Sequence, residues 1–76
     1  MAKSTFNNDH DRLRLRLQEA RRESGLTQVE LAKKLRRPQS YVSDMERGQR
    51  RIDVVELVQI CRVLDADPCM IIRELI

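Results

Sequence analysis

Apolar residues recur along this chain at helical spacing, and residues that start or stop helices separate the runs. Leu13, Leu17 and Ala20 stand at i, i+4 and i+7 among arginines and glutamates, which predicts a first helix over residues 9–24, stopped at Gly25. Thr27 lies three residues before Glu30, the spacing of a reciprocal N-terminal cap. It predicts a short second helix over 28–35, with Leu31, Ala32 and Leu35 buried and Val29 peripheral. Arg36, Arg37 and Pro38 interrupt it, because the residue before a proline avoids the α region, and Pro38 suits the first turn of a third helix. That helix runs to about residue 47, where Tyr41, Val42 and Met45 are the apolar residues and Val42 and Met45 face inward together. Gln39, Ser40, Ser43 and Asp44 fall on its other side. Gly48 ends it, and a basic loop over 49–51 follows. Asp53 caps a fourth helix over 54–64, with Leu57, Ile60, Cys61 and Leu64 at i, i+3, i+4 and i+7, and Asp67-Pro68 starts a fifth over 68–76.

The pattern predicts an all-α fold, a compact five-helix domain over residues 9–76. A flexible arm over 1–8 precedes it, where Ser4, Asn7 and Asn8 sit in a polar stretch without regular spacing. Only two glycines and two prolines punctuate the chain, in keeping with helices rather than a turn-rich β fold. A chain of 76 residues has room for one domain. A domain of this size buries only about 60% of its unfolded surface, so its stability is marginal. The fifth helix carries more apolar surface than one face can hide. Met70, Ile71, Ile72, Leu75 and Ile76 are therefore the expected homodimer interface.

Charge sharpens this picture once it is counted by segment. Residues 1–26 hold six basic and four acidic side chains, 27–52 seven and three, and 53–76 two and five. A cationic middle third is thus followed by an acidic, apolar tail. Clustered positive charge releases counterions from a polyphosphate, which points to double-stranded DNA as partner. The short hydrogen-bonding side chains of Gln39, Ser40, Ser43 and Asp44, flanked by Arg36, Arg37, Arg47, Arg50 and Arg51, suit the reading of base edges. Arg12, Arg14, Arg16 and Arg22 read as ordinary helix surface.

Other classes find little support. No apolar run approaches the roughly 20 residues that span a bilayer, and the N-terminus has no hydrophobic signal core, so a cytoplasmic, nucleoid-associated protein without membrane contact is expected. Cys61 and Cys69 lack CxxC spacing, and His10 is the only histidine, so no metal site or disulfide framework follows. No nucleophile stands beside a base and no glycine loop cradles a phosphate, so neither catalysis nor a cofactor is expected.

Two segments, Leu26-Thr27-Gln28-Val29-Glu30-Leu31-Ala32 and Tyr41-Val42-Ser43-Asp44-Met45-Glu46-Arg47-Gly48, together with the string PQSYVSDMERGQRRIDVVELVQIC, resemble the phage-repressor and Cro-like (XRE-type) helix-turn-helix family. Within it they are similar to small stand-alone regulators such as restriction–modification controller proteins. The resemblance covers about residues 12–70. It implies five helices, with the second and third forming the DNA-binding unit and the last often supplying a dimer interface. On this resemblance Gln28 braces the recognition helix or contacts phosphate, and Gln39, Ser40 and Asp44 face base edges. Tyr41, Ser43 and Arg47 lie near the backbone or flanking bases, and Arg50 and Arg51 follow the phosphates. Thr27 and Arg37 complete the expected DNA-binding set, while Arg21 and Glu46 match a structural pair.

The chain departs from the family pattern at two positions. Arg36 stands where many members carry glycine in the turn, a costly left-handed position for a side chain. Asp44 brings a carboxylate towards phosphates, which calls for a cytosine amino group, Arg47 or a loop arginine as partner. The function implied is sequence-specific transcriptional regulation through an inverted-repeat operator bound by a homodimer. The alternative is an antitoxin acting mainly by protein–protein interaction, and a toxin or RNA polymerase stands as a further protein contact.

Overall fold

Five helices follow one another in this computed structural model, which describes residues 8–76. They are α1 (Asn8–Glu23), α2 (Gln28–Leu35), α3 (Gln39–Glu46), α4 (Val54–Leu64) and α5 (Pro68–Arg73), with no strand among the described residues. The expected N-terminal arm lies outside the described residues, apart from Asn8, which opens α1. No helix is long and apolar enough to cross a membrane among the described residues.

Local chemistry explains most of the boundaries. The Thr27 hydroxyl accepts from Glu30 N at 3.1 Å, and Thr27 N donates to Glu30 Oε1 at 2.9 Å, so two amides at the start of α2 are satisfied reciprocally. The same device starts α4, where Asp53 Oδ1 accepts from Glu56 N at 2.7 Å and Asp53 N donates to Glu56 Oε1 at 3.0 Å. Asp67 accepts from Cys69 N at 2.9 Å ahead of Pro68, which is the first residue of α5. At α3 the expectation needs correcting: Pro38 has ψ 155 and is the cap, not the first helical residue. The fifth helix also stops early, at Arg73, and the chain closes in tight bonds from Leu75 N to Ile72 O and from Ile76 N to Arg73 O.

Four helices stop in one way. An amide reaches back five residues in each case: Leu26 to Arg21, Arg37 to Ala32, Gln49 to Asp44 and Ala66 to Cys61, at 3.2, 2.9, 2.8 and 2.8 Å. The residue before each donor is left-handed, namely Gly25, Arg36, Gly48 and Asp65 with φ of 75, 58, 76 and 56. Arg36 therefore adopts the strained conformation that the turn demands.

The stops bring one apolar stripe per helix to a common centre. Leu17 of α1, Leu31 of α2, Val42 and Met45 of α3, Ile60 and Cys61 of α4 and Ile71 of α5 are all but sealed from solvent. The helix α5 contributes a single fully buried side chain, a contribution of about 1.5–3 kcal/mol. Its attachment is completed by charge. Arg16 pairs with Glu74 at 3.1 Å, and Arg12 Nη2 donates to the Glu74 carbonyl.

Candidate nucleic-acid interface

At 100° per residue, positions 39, 40, 43, 44 and 47 share one side of α3 and positions 41, 42, 45 and 46 share the other. Burial follows that division without exception. Gln39, Ser40 and Arg47 are exposed and Ser43 and Asp44 half-buried, while Tyr41, Val42, Met45 and Glu46 are buried. A helix so seated offers one polar face on a rigid apolar base.

The base is secured by a buried carboxylate. Glu46 accepts from Arg21 Nε at 2.6 Å and Nη2 at 3.1 Å, from Gln28 Nε2 at 2.8 Å and from Gln18 Nε2 at 3.3 Å. Arg21 Nη1 also donates to Leu26 O at 2.8 Å, so the pair is hydrogen-bonded on both sides, as a buried ion pair requires. Gln28 thus takes the bracing role of the two that the resemblance offers. The Arg21–Glu46 pair is present as expected.

Tyr41 is a correction. It was expected near the DNA backbone, but it lies on the inner side of α3 with 8% exposure, and it is packed against two arginines. Arg37 and Arg50 lie 4.6 and 4.3 Å from its ring centroid. Burial first, then the charge and hydrogen bond of Glu56, hold its phenol above the ordinary 10.0. Arg50 is held twice, because its Nη2 also donates to Glu56 Oε2 at 2.9 Å. The two loop arginines are therefore not equivalent. Arg50 is half-buried and Arg51 exposed, and burial and then Arg51 hold the His10 imidazole below its ordinary 6.5.

Asp44 finds the partner its position called for. Its Oδ1 accepts from Arg47 Nη2 at 2.6 Å, one turn on along the exposed face. Around the other end of α3, Lys33, Lys34, Arg36 and Arg37 gather exposed at the close of α2. Thr27, also exposed, has its hydroxyl engaged in the α2 cap.

The expected dimer residues do not form one surface. Ile71 is a correction, since at 2% exposure its side chain belongs to the protein's own core. Ile72 and Ile76 line a shallow groove with Cys69 and Arg73, while Met70 borders a different cleft with Ala20, Leu64 and Ala66, and Leu75 packs half-buried near Leu15 of α1. A second apolar strip was not anticipated. Val54, Val55 and Val58 stand exposed on the outer side of α4, and the i, i+4 spacing of Val54 and Val58 carried the signal.

Residues 12–71 match a family model described as a helix-turn-helix domain. An XRE-family-like protein from Pseudomonas syringae pv. tomato str. DC3000 superposes with a TM-score of 0.83 at 43% identity, over 88% of this chain and 82% of that one. The restriction–modification controller protein C.AhdI from Aeromonas hydrophila gives a TM-score of 0.75 at 36% identity, over 92% of this chain and 100% of that one. The clp gene regulator ClgR from Corynebacterium glutamicum gives 0.80 at 28% identity, over 91% of this chain and 73% of that one. A comparison with curated proteins finds no match.

Proposed function

Because the chain belongs to the helix-turn-helix domain family, as a protein of XRE type, we propose that it regulates transcription by docking α3 in the major groove of a specific operator. The division of α3 into a sealed inner side and a polar outer side carries this reading. Gln39 and Ser40 occupy its first turn, the part of a recognition helix that enters the groove, and a glutamine can make paired hydrogen bonds to adenine. Ser43 and Asp44 continue the face towards base edges. Arg37, Arg47 and Arg51 surround it, where they can neutralise phosphates, with Thr27 beside them as a hydrogen-bonding neighbour, while Gln28 braces the helix and Arg50 the loop.

The regulator acts as a homodimer on an inverted repeat, with half-sites about 34 Å apart. Ile72 and Ile76, at 40% and 98% exposure, form the centre of the contact. Sedimentation should find a dimer at tens of micromolar that Ile72→Asp dissociates; a monomer throughout would remove the dimer from the proposal.

Base reading and phosphate anchoring separate under salt. Gln39→Ala should cost about 1–3 kcal/mol on the operator, relax the preference at one base pair and hardly change binding to random DNA. Arg51→Ala should weaken both and lower the slope of log K against log salt by about one. The measurement is anisotropy on operator and random duplexes across a salt series. Identical behaviour of the two variants, or no preference of the wild type for any duplex, would overturn the assignment of α3.

A further inference from the structure

Arg14 lies on α1, outside the face of α3 that reads DNA, yet it touches the end of that helix. We propose that Arg14 is a positioning residue for α3: held by Asp11, its guanidinium caps the last carbonyl of the helix and sets the angle at which the reading face and the loop behind it are presented. The inference rests on the reading of α3 given above.

The carbonyls at the C-terminal end of α3 define the need. Ser43 O accepts from Arg47 N at 3.0 Å, Met45 O from Gly48 N at 3.1 Å and Asp44 O from Gln49 N at 2.8 Å. Among the described residues no backbone amide reaches Glu46 O. Arg14 Nη1 donates to it at 2.7 Å, a charge-assisted bond at the negative end of a helix. The guanidinium is not free to swing, because its Nε donates to Asp11 Oδ1 at 3.1 Å, one turn back on α1. It also lies close against Gly48. A Cβ on Gly48 would lie 2.8 Å from Arg14 Nε, so the arginine rests against bare backbone at the left-handed stop.

Glu46 is therefore gripped twice from the same helix. Arg21 holds its carboxylate and Arg14 its carbonyl, and the two arginines stand seven residues, or about two turns, apart on one side of α1. Two separated tethers fix its rotation and the start of the 49–51 loop. The neighbours Arg12 and Arg16 point instead to Glu74, so Arg14 and Arg21 serve the reading helix and Arg12 and Arg16 the end of α5.

The test uses Arg14→Lys and Arg14→Ala in the full chain, with Arg12→Ala as control. Both Arg14 variants should lose about tenfold in operator affinity, equivalent to about 1.4 kcal/mol, while binding to random DNA and the salt slope stay as in the wild type. Lysine should not rescue, since one ammonium cannot present the fork that spans Asp11 and Glu46 O. In the DNA-free protein, the Gly48 and Gln49 amides should exchange with solvent faster in both variants and not in Arg12→Ala. Rescue by lysine, or a parallel loss on both DNAs with a salt slope lower by about one, would make Arg14 a mere charge or a phosphate contact and overturn the proposal. So would unchanged exchange at Gly48 and Gln49. A wild type without preference for any duplex would refute the reading of α3 instead, and the exchange measurement would still decide whether Arg14 holds its end.

Discussion

Arg50 and Arg51 are adjacent in sequence, but Arg50 is half-buried and Arg51 exposed. Arg50 is stacked on Tyr41 and bonded to Glu56, so its removal takes away packing and leaves a buried carboxylate with one partner fewer. Arg50→Ala should lower the thermal midpoint more than Arg51→Ala and change the salt slope less, which melting curves and the same anisotropy series can check. An equal slope change for the two would show that Arg50 leaves Glu56 for a phosphate. Single residues were the hardest to read in the sequence. A place in a pattern does not show that Tyr41 is covered by Arg37 and Arg50, that Ile71 is sealed in the core or that Arg14 reaches Glu46. Neither a wheel nor a motif records these contacts, or that no backbone amide among the described residues reaches Glu46 O.

Helices were far more legible, because their ends are encoded within a few residues. The caps at Thr27, Asp53 and Asp67 and the stops at Gly25 and Gly48 stand in the sequence as short-range rules, and α2 and α4 begin where those caps put them. The two remaining stops break the glycine rule, and that has a measurable cost. Arg36→Gly relieves a side chain at φ 58 and should stabilise the fold by about 1 kcal/mol, the cost of a left-handed residue with a Cβ. In a domain of this size that raises the thermal midpoint by about 4–8 °C. Asp65→Gly should gain less, since aspartate tolerates this conformation better. Thermal melts of the two variants check the order, and a lower midpoint for Arg36→Gly would mean that its side chain contributes more than its backbone costs. The outer surface of α5 was less legible than its start, because amphipathic spacing tells how much apolar surface exists and not how a neighbouring helix partitions it.

At the scale of the whole molecule, stability should depend on pH through two groups, one window opening below 6.5 and the other below 4.5. Burial, then Arg51, disfavours the His10 cation, with Asp11 offsetting part of this and Arg14 adding to it. Its pKa is thus lower in the folded protein than in the unfolded chain. As the pH falls through 6.5 the unfolded chain takes up the proton first, so stability declines from there down to the folded pKa and then levels off. Glu30 has the opposite chemistry and a lower window. Hydrogen bonds from the Thr27 backbone and then its hydroxyl hold the carboxyl below 4.5, so the stability it adds is complete above that pH and fades below it. Thermal midpoints across a pH series should fall in both windows, and His10→Gln should flatten only the upper one. A flat wild-type profile between 6.5 and the lower window would contradict the His10 assignment.

The buried pair of Arg21 and Glu46 also constrains how this sequence can change over generations. Loss of either partner would strand the other charge in the interior at a cost of about 3–5 kcal/mol. Against a total stability of about 5–15 kcal/mol for a native domain, that brings a small one close to unfolding. Replacing both with apolar residues of equal volume carries no such penalty from the pair itself. Gln18 and Gln28 would lose their acceptor at the same time and would have to change with them. The route from one viable sequence to the other therefore runs through variants that barely fold, and two positions 25 residues apart are inherited as a single trait.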